Sequence, residues 1–248
     1  MFPGAHLEQH GDKPAVIMGG SGFTQTYREL DAAANRLSHL LQSAGFRPGD
    51  HIAICMENHD RYLEVVWGCH YAGLVYTCAS SRLTSHELEY IINDCGAKGY
   101  ITSKYKADQA AEVIATTPDV ELRLMLDGTV DGYESYESAV AEQSPEPLDE
   151  ARMAGLDMLY SSGTTGMPKG ITRAFPNTPL ETTPISVQPL LQLLFGMDES
   201  KRYLSPAPFY HAAPLRFCLA VHGIGATIVA MEHFDAEQYL ELVDRYEI

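Results

Sequence analysis

Apolar and polar positions along the chain follow two alternating periods. Short apolar runs predict strands over residues 15–18, 51–56, 74–77, 99–102, 120–126, 157–160 and 202–205. Between these runs, apolar residues recur three and four positions apart, which predicts amphipathic helices. Two of the helices begin at capping boxes, Thr26-x-x-Glu29 and Thr84-x-x-Glu87. Strands that alternate with helices predict an α/β fold with mostly parallel sheets flanked by helices.

Two helical stretches are unusually apolar. The segment that follows Asn58 and ends at Gly73 has little polar face, so we expect a buried helix with Asn58 as its cap. A second cluster, residues 190–195, contains four leucines and Phe195. We expect a buried helix there too, since apolar stripes usually belong to a core. An acyl-pocket or membrane-contact element is the alternative for this cluster.

Chain organisation predicts one large unit over residues 1–248, with a candidate sub-domain boundary at 144–150, where Ser144-Pro145-Glu146-Pro147 interrupts the pattern. Helix 133–143 is expected just before it. In open parallel sheets, ligands bind beyond the carboxyl ends of the strands. Residues that directly follow strands are therefore the candidates for chemistry.

Composition narrows the class of protein. The formal net charge of −16 argues against nucleic acid as a partner, because phosphate backbones require a basic surface. The five cysteines are scattered through apolar stretches without C-x-x-C pairing, which favours reduced core thiols and a cytoplasmic location. We find neither a signal-peptide pattern at Met1 nor an apolar stretch long enough to span a membrane.

The stretch from Ser161 to Gly170 follows the predicted strand 157–160 and reads Ser-Ser-Gly-Thr-Thr-Gly-Met-Pro-Lys-Gly. Glycines allow close approach of backbone N–H groups, hydroxyls add donors, and Lys169 adds a positive charge suited to phosphate. The stretch does not match G-x-x-x-x-G-K-[ST], because Gly170 follows the lysine. It therefore predicts a phosphate site different from a P-loop, with a solvated linker as the alternative.

A second candidate follows the predicted strand 202–205. Prolines flank the sequence Phe209-Tyr210-His211, and they would restrict the backbone on both sides of the histidine. A lone histidine is more often structural, but here two aromatic side chains precede it at a strand exit. The position of His211 therefore favours a role in ligand binding over a purely structural one.

These two motifs carry a family resemblance. Tyr160 to Gly170 resembles the signature Y-[TS]-[SG]-G-[ST]-T-G-x-P-K-G of the adenylate-forming (AMP-binding) superfamily, and Pro208 to His211 resembles its aromatic-histidine segment. The chain thus resembles acyl-CoA synthetases of the fatty-acid–CoA ligase type. The resemblance implies the N-terminal portion of their large domain, without the C-terminal lid domain. It also implies AMP-forming activation of a carboxylic acid, with ATP, Mg²⁺ and coenzyme A.

The resemblance also implies roles for residues. Lys169 and His211 are the expected catalytic residues, and Phe209, Tyr210 and His211 are expected to contact the acid. The expected nucleotide-binding residues are Ser161, Ser162, Gly163, Thr164, Thr165, Gly166 and Lys169. No metal ligand is assigned. A homo-oligomer and peripheral membrane contact are compatible with the resemblance, and a transmembrane segment is not expected.

Two departures from the family pattern matter. Phe175 stands where family members often carry histidine after the lysine, so any role of that histidine does not transfer. Nearby Arg173 is expected to be a surface residue. Family members are also considerably longer, so we expect this chain to be an incomplete, inactive part of a ligase. The alternatives are a non-catalytic nucleotide-binding or interaction module, and an adenylation domain for an aryl or amino acid.

Overall fold

The computed structural model describes residues 1–149, 151–161, 167–171 and 173–248. Its strands are β1 (Pro14–Met18), β2 (Thr24–Thr26), β3 (His51–Cys55), β4 (Val75–Cys78), β5 (Gly99–Ser103), β6 (Leu122–Leu126), β7 (Glu134–Ser135), β8 (Leu156–Ser161), β9 (Lys169–Ile171), β10 (Arg202–Ser205) and β11 (Thr227–Ala230). Its α-helices are α1 (Leu7–His10), α2 (Tyr27–Ser43), α3 (Tyr62–Tyr71), α4 (Ser85–Asp94), α5 (Ala107–Val113), α6 (Tyr136–Ala141), α7 (Gln188–Phe195), α8 (Ala212–Ile224) and α9 (Ala236–Tyr246). Short 3-10 turns cover Pro3–His6, Lys104–Lys106, Ile114–Thr116 and Leu180–Thr182.

The strands form two sheets. One has the order β10-β11-β1-β2 and the other has the order β7-β6-β5-β3-β4-β8-β9. Every pairing is parallel except β1 with β2 and β8 with β9, so the prediction of mostly parallel sheets flanked by helices is confirmed. Parallel strands need helical crossovers, which explains why helices cover both sheets.

The helices lie in three layers around the two sheets. A central core joins side chains of α2, α3 and α8 to residues of both sheets. On the outer face of the seven-stranded sheet, a second core includes side chains of α4 and α5. A small third core packs α9 against the four-stranded sheet. Helix α8 therefore lies between the sheets, where its residues can contact both.

A buried histidine illustrates how α8 is held in the central layer. His222 accepts a hydrogen bond from Nε1 of Trp67 in α3 at 2.9 Å, and its Nε2 lies 3.2 Å from the carbonyl oxygen of Ala15 in β1. Burial lowers the pKa of His222 to about 3, so the ring is neutral and Nε2 carries the proton that Ala15 accepts. The C-terminal half of α8 is thereby joined to α3 and to the four-stranded sheet.

Both predicted capping boxes are present. The side chain of Glu29 accepts from the backbone N–H of Thr26 at 2.8 Å, and Glu87 accepts from Thr84 at the same distance. Each threonine accepts in return from the N–H of its glutamate. The predicted buried helix after Asn58 is also confirmed as α3, every residue of which is buried. The predicted helix at 133–143 is shorter and covers only Tyr136–Ala141.

The prediction of a buried helix at 190–195 is wrong. Helix α7 forms there, but Leu193, Leu194 and Phe195 are 83%, 70% and 65% exposed. Only Gln188 and Leu191 of this helix are buried. Because the apolar residues occupy most positions of its last two turns, no single packing face can cover them all. The helix contacts the core on one side and presents an apolar surface on the other.

All five cysteines are buried and free of disulfide bonds, as the scattered pattern predicts. Within the described ranges, no helix has the length and apolarity that crossing a membrane requires. Segment 144–149 connects α6 towards β8 and contacts α2, with His39 Nε2 at 2.9 Å from the carbonyl oxygen of Glu146. Since β8 pairs with β4, strands from both sides of this segment share one sheet, and the boundary at 144–150 stays a prediction.

Candidate functional site

The predicted phosphate motif lies on a hairpin at the edge of the seven-stranded sheet. Strand β8 ends at Ser161, and β9 returns antiparallel to it with Lys169 directly opposite Ser161. The side chain of Lys169 is exposed. The predicted nucleotide-binding residues Ser162, Gly163, Thr164, Thr165 and Gly166 lie outside the described residues. The two described residues of the predicted nucleotide-binding set, Ser161 and Lys169, thus lie opposite each other where the hairpin opens.

The register of this hairpin decides which way its side chains point. Residues directly opposite each other in an antiparallel pair share a face, and neighbours along a strand alternate. Leu159 packs into the central core that contains α8, whereas Met158 and Tyr160 pack on the outer side with α4. Ser161 is two residues beyond Leu159. It therefore lies with Lys169 on the face that α8 covers.

The outer face of the hairpin is held by Tyr160. Its hydroxyl donates to Oδ2 of Asp94, the last residue of α4, at 2.5 Å. Gly170 stands directly opposite Tyr160 in the ladder. A Cβ at Gly170 would lie 2.5 Å from the Met158 side chain and 3.0 Å from the Tyr160 ring. A side chain at Gly170 would therefore require the flexible end of Met158 to move and would press against the Tyr160 ring.

A buried carboxylate lies further down the same inner face. Asp157, only 8% exposed, accepts from Nη2 of Arg173 at 2.6 Å and from Nη2 of Arg216 at 2.7 Å. Arg173 is exposed, with 40% of its side chain open to solvent, so the expectation of a surface residue is confirmed, and its guanidinium also pairs with Asp157. Arg216 belongs to α8. The carboxylate therefore joins the hairpin to the helix that carries the second motif.

The aromatic-histidine segment leads from β10 into α8. Phe209 is fully buried, and its ring lies 5.3 Å from the ring of Tyr62 at the start of α3. Tyr210 is 7% exposed, and its ring lies 4.6 Å from that of His211. His211 is exposed and forms the N-cap position of α8. Of the three predicted acid-contacting residues, His211 alone is open to solvent.

Asn58 joins this segment to the carboxyl ends of both sheets. Its Nδ2 donates to the carbonyl oxygens of Met231 at 2.8 Å and Ala207 at 3.2 Å, and its Oδ1 accepts from the N–H of Phe209 at 2.8 Å. The predicted capping role of Asn58 is wrong, since α3 begins with Arg61 at its cap position and has no side-chain cap. The side chain that was expected to start a helix instead fixes the aromatic-histidine segment.

His59 is the next residue and lies between two aspartates. Its Nδ1 is 2.8 Å from Oδ1 of Asp60, and its Nε2 is 2.9 Å from Oδ2 of Asp127. Burial by itself would lower the pKa of His59, but its hydrogen bonds to the carboxylates of Asp60 and Asp127 outweigh burial and raise the pKa to about 9. His59 is therefore a charged side chain at neutral pH.

This ion pair predicts a pH-dependent stability. A histidine with a raised pKa in the folded state stabilises fully below its unfolded pKa of about 6.5, and the contribution is lost as the pH rises through about 9. We expect His59 to contribute about 2–3 kcal/mol at pH 6 that is absent at pH 10. Urea unfolding of the wild type and of His59→Gln at both pH values measures this. Equal pH dependence in the two proteins would contradict the prediction.

Two cavities flank the central layer. One of about 260 Å³ lies at the carboxyl ends of β1, β3 and β11, with Asn58, His59 and Glu232 in its lining. The other, about 350 Å³, lies at the opposite edge and is lined by Arg47, Arg152 and neighbouring residues. Only the first is on the side of the sheets that the two motifs reach, in agreement with ligand binding beyond carboxyl strand ends.

The structure thus places Ser161, Lys169 and His211 on one side of the fold. β8 is parallel to β4 and β3, so Ser161 and the Asn58 turn lie at the same edge of the sheet. Sequence reasoning missed Asp157 and Arg216, because a single charge in an apolar strand or helix does not reveal its partner. The only sequence signal for such a pair was the presence of a charged residue, Asp157, within the mostly apolar run 156–160.

Comparison with known proteins identifies the family of this chain. Residues 5–248 match the family model described as AMP-binding enzyme. The chain is 26% identical over 238 residues to the fatty acid–[acyl-carrier-protein] ligase ScoC of Streptomyces coeruleorubidus, covering 96% of this chain and 44% of that protein. It is 32% identical over 236 residues to a feruloyl-CoA synthase of an Amycolatopsis species, covering 93% and 43% of the two chains.

A solved structure shows the same fold. The inhibitor-bound N-terminal domain of FACL13 from Mycobacterium tuberculosis superposes with a TM-score of 0.84 at 22% identity, over 99% of this chain and 60% of that one. The chain spans less than half the length of the two curated relatives. The chain belongs to the AMP-binding enzyme family of adenylate-forming acid ligases, and it corresponds to the N-terminal part of their large domain.

Proposed function

We propose that this chain supplies the phosphate-binding half of a site that activates a carboxylic acid with ATP and transfers the acyl group to coenzyme A. The observation that carries the proposal is the position of Ser161 and Lys169, opposite each other on the face covered by α8. At the N-cap of α8 stands His211. This position of His211, at the end of the helix that packs on the same face of the sheet, supports the proposal that the two motifs share one site.

In the proposed reaction, a carboxylate attacks the α-phosphorus of ATP and pyrophosphate leaves. The site must therefore stabilise the negative charge of the leaving pyrophosphate. Positioned donors and cations supply most of the stabilisation in phosphoryl-type transfers. In the proposal, Lys169 offsets the charge of the phosphates and the Ser161 hydroxyl donates to them. Residues 162–166 have the same role by resemblance. His211 contacts the reacting carboxylate or the phosphate, and Tyr210 and Phe209 shape the acid side.

Mg²⁺ is part of the proposal only as the ion that accompanies ATP. The described part of the chain contains no group of three or more His, Cys, Asp or Glu side chains that could hold a metal ion. We therefore assign no metal ligand to it. Coenzyme A is proposed as the acyl acceptor by family, and no described residue is assigned to it.

A fatty acid is the proposed acid, by resemblance and because α7 and the stretch of α8 from Phe217 to Val221 are largely apolar. The two curated relatives act by name on different acids, one a fatty acid and the other a feruloyl compound. An aryl or amino acid is therefore the alternative substrate class. Peripheral membrane contact and a homo-oligomer stay proposals, both supported by the exposed apolar residues of α7.

Calorimetric titration of the 248-residue chain with pyrophosphate and with ATP tests the phosphate site. We expect saturable binding that weakens as the salt concentration rises, since the contacts are charge-assisted. Pyrophosphate exchange into ATP tests the proposed activation of the acid and its substrate class. It is measured with a saturated fatty acid, a hydroxycinnamic acid and an amino acid. We expect the chain alone to exchange far more slowly than a full-length ligase. Absence of any pyrophosphate binding would overturn the proposal.

A non-catalytic interaction module is the second candidate. The specific observation in its favour is the apolar surface of α7, formed by Leu193, Leu194 and Phe195. Exposed apolar patches of this kind often mark contact surfaces between proteins. Sedimentation at increasing protein concentration, combined with the titration above, separates the two candidates. Association without pyrophosphate binding would favour the interaction module.

A further inference from the structure

Asp157 occupies a position where a charge is costly. It is the second residue of β8, between Leu156 and Met158, and its side chain is 10% exposed. A buried carboxylate is tolerated only when it is paired and hydrogen-bonded, because desolvation of an isolated charge costs several kcal/mol, on the order of 5. Asp157 meets this condition with two arginines, each from a different element.

The first partner lies on the return side of the hairpin. The β8–β9 register pairs Leu159 with Ile171, and continuing it by two residues places Asp157 opposite Arg173. Oδ1 of Asp157 accepts from Nη2 of Arg173 at 2.6 Å, and the same nitrogen lies 3.3 Å from the Asp157 carbonyl oxygen. This cross-strand pair closes the hairpin at its base, and Lys169 lies four residues before Arg173.

The second partner lies on α8. Oδ2 of Asp157 accepts from both Nε and Nη2 of Arg216, at 3.0 and 2.7 Å. The planar guanidinium thus directs two donors at one oxygen, which fixes its orientation more tightly than a single contact would. Arg216 lies five residues after His211, or about 7.5 Å along the helix axis.

We infer that Asp157 is a positioning residue, which through Arg173 and Arg216 holds the Lys169 strand and the His211 end of α8 in one fixed arrangement. This inference rests on the proposed function, because it assigns a purpose to the alignment of the two motifs. A catalytic site must hold its groups within a fraction of an ångström, and displaced donors lose much of their effect. The three charges of the cluster have fixed partners and so fix the two elements against each other.

The variant Asp157→Asn distinguishes a positioning role of Asp157 from an effect of its negative charge on pyrophosphate binding. Removal of the carboxylate leaves both arginines in place and makes the surroundings of Lys169 more positive, which by charge alone would strengthen pyrophosphate binding. If Asp157 positions the hairpin, the affinity falls instead, and we expect it to be about tenfold weaker. Titration calorimetry of the 248-residue chain measures the change. Stronger or unchanged binding would overturn the inference.

Arg216→Lys gives an independent test that keeps the charge. A lysine has no planar fork, so the two-donor contact to Asp157 is lost while the net charge stays the same. We expect a loss of affinity of about fivefold, in the same direction as for Asp157→Asn. The matched control is Asp50→Asn, since Asp50 pairs with Lys98 at 2.7 Å at the amino end of the same sheet. That control is expected to change the affinity less than twofold, roughly the limit for remote surface charges.

Hydrogen exchange tests the positioning role of Asp157 without depending on pyrophosphate binding. In Asp157→Asn, we expect faster exchange at the amides of β9 and at those of α8 from Leu215 onwards, around Arg216, because one carboxylate holds both elements. If the wild type binds no pyrophosphate, the proposed function fails, and the exchange data still test the coupling. Faster exchange confined to one of the two elements would refute the role of Asp157 in joining them.

Discussion

Replacement of Lys169 by alanine is expected to weaken pyrophosphate binding to the 248-residue chain by about 10–100-fold, the loss of one charge-assisted contact to phosphate. Lys169 is exposed, and it stands opposite Ser161 where the hairpin opens. A positive charge there matters more in a chain of net charge −16, because the overall field repels an anionic ligand. Calorimetric titration at one fixed ionic strength measures the effect.

The control for this variant is Lys201→Ala. Lys201 is an exposed lysine before β10, and its removal changes the net charge by the same amount. We expect its affinity for pyrophosphate to stay within about twofold of the wild type, since exposed charges beyond a Debye length are screened. In a longer protein that contains this chain, Lys169→Ala is also expected to lower acid-dependent pyrophosphate exchange by about 10²–10³-fold. Similar affinities for the two alanine variants would exclude Lys169 from the site.

Asn58→Ala is expected to lower the free energy of unfolding by about 2–4 kcal/mol. Asn58 is 8% exposed and makes three hydrogen bonds to the backbone of residues that follow β10 and β11. Truncation leaves the N–H of Phe209 and the carbonyl oxygen of Met231 without this partner in a buried place. Such groups cost their desolvation energy when they are not hydrogen-bonded. Urea unfolding followed by tryptophan fluorescence measures the loss.

Asn93→Ala provides the matched comparison. Asn93 is exposed and makes one side-chain hydrogen bond, from Nδ2 to the carbonyl oxygen of Thr116 at 2.9 Å. Because water can replace that bond, we expect a loss of at most about 0.5–1 kcal/mol. Equal losses of unfolding free energy in the two asparagine variants would contradict the prediction. The three hydrogen bonds of Asn58 would then stabilise the fold no more than one surface hydrogen bond does.

Much of the fold was predictable because its signals are local. The hydrogen bonds of a capping box span only three residues, so Thr26 and Thr84 mark helix starts without any tertiary information. The apolar pattern after Asn58 likewise predicts a buried helix, and α3 is buried throughout. The two motifs were recognisable for the same reason, since each is a continuous stretch of chain.

The errors have a common physical origin in partners that lie far away along the chain. Asn58 resembles a helix cap locally, but its hydrogen bonds go to backbone groups about 150 to 170 residues later. Arg173 is exposed as expected, but its pairing with Asp157 was not predicted. The apolar cluster in α7 predicts burial, yet periodicity cannot say whether a neighbour covers it.

The sequence alone therefore determined most of the strands and helices, and it identified the motif from Ser161 to Gly170, because these signals depend on neighbouring residues. The tertiary structure decided which face of the sheet Lys169 shares with α8, and which residues hold the two together. That arrangement depends on strand register and on the pairing of Asp157 with Arg173 and Arg216. Contacts of this kind arise only when distant segments pack, since no local pattern encodes the partner of a single buried charge.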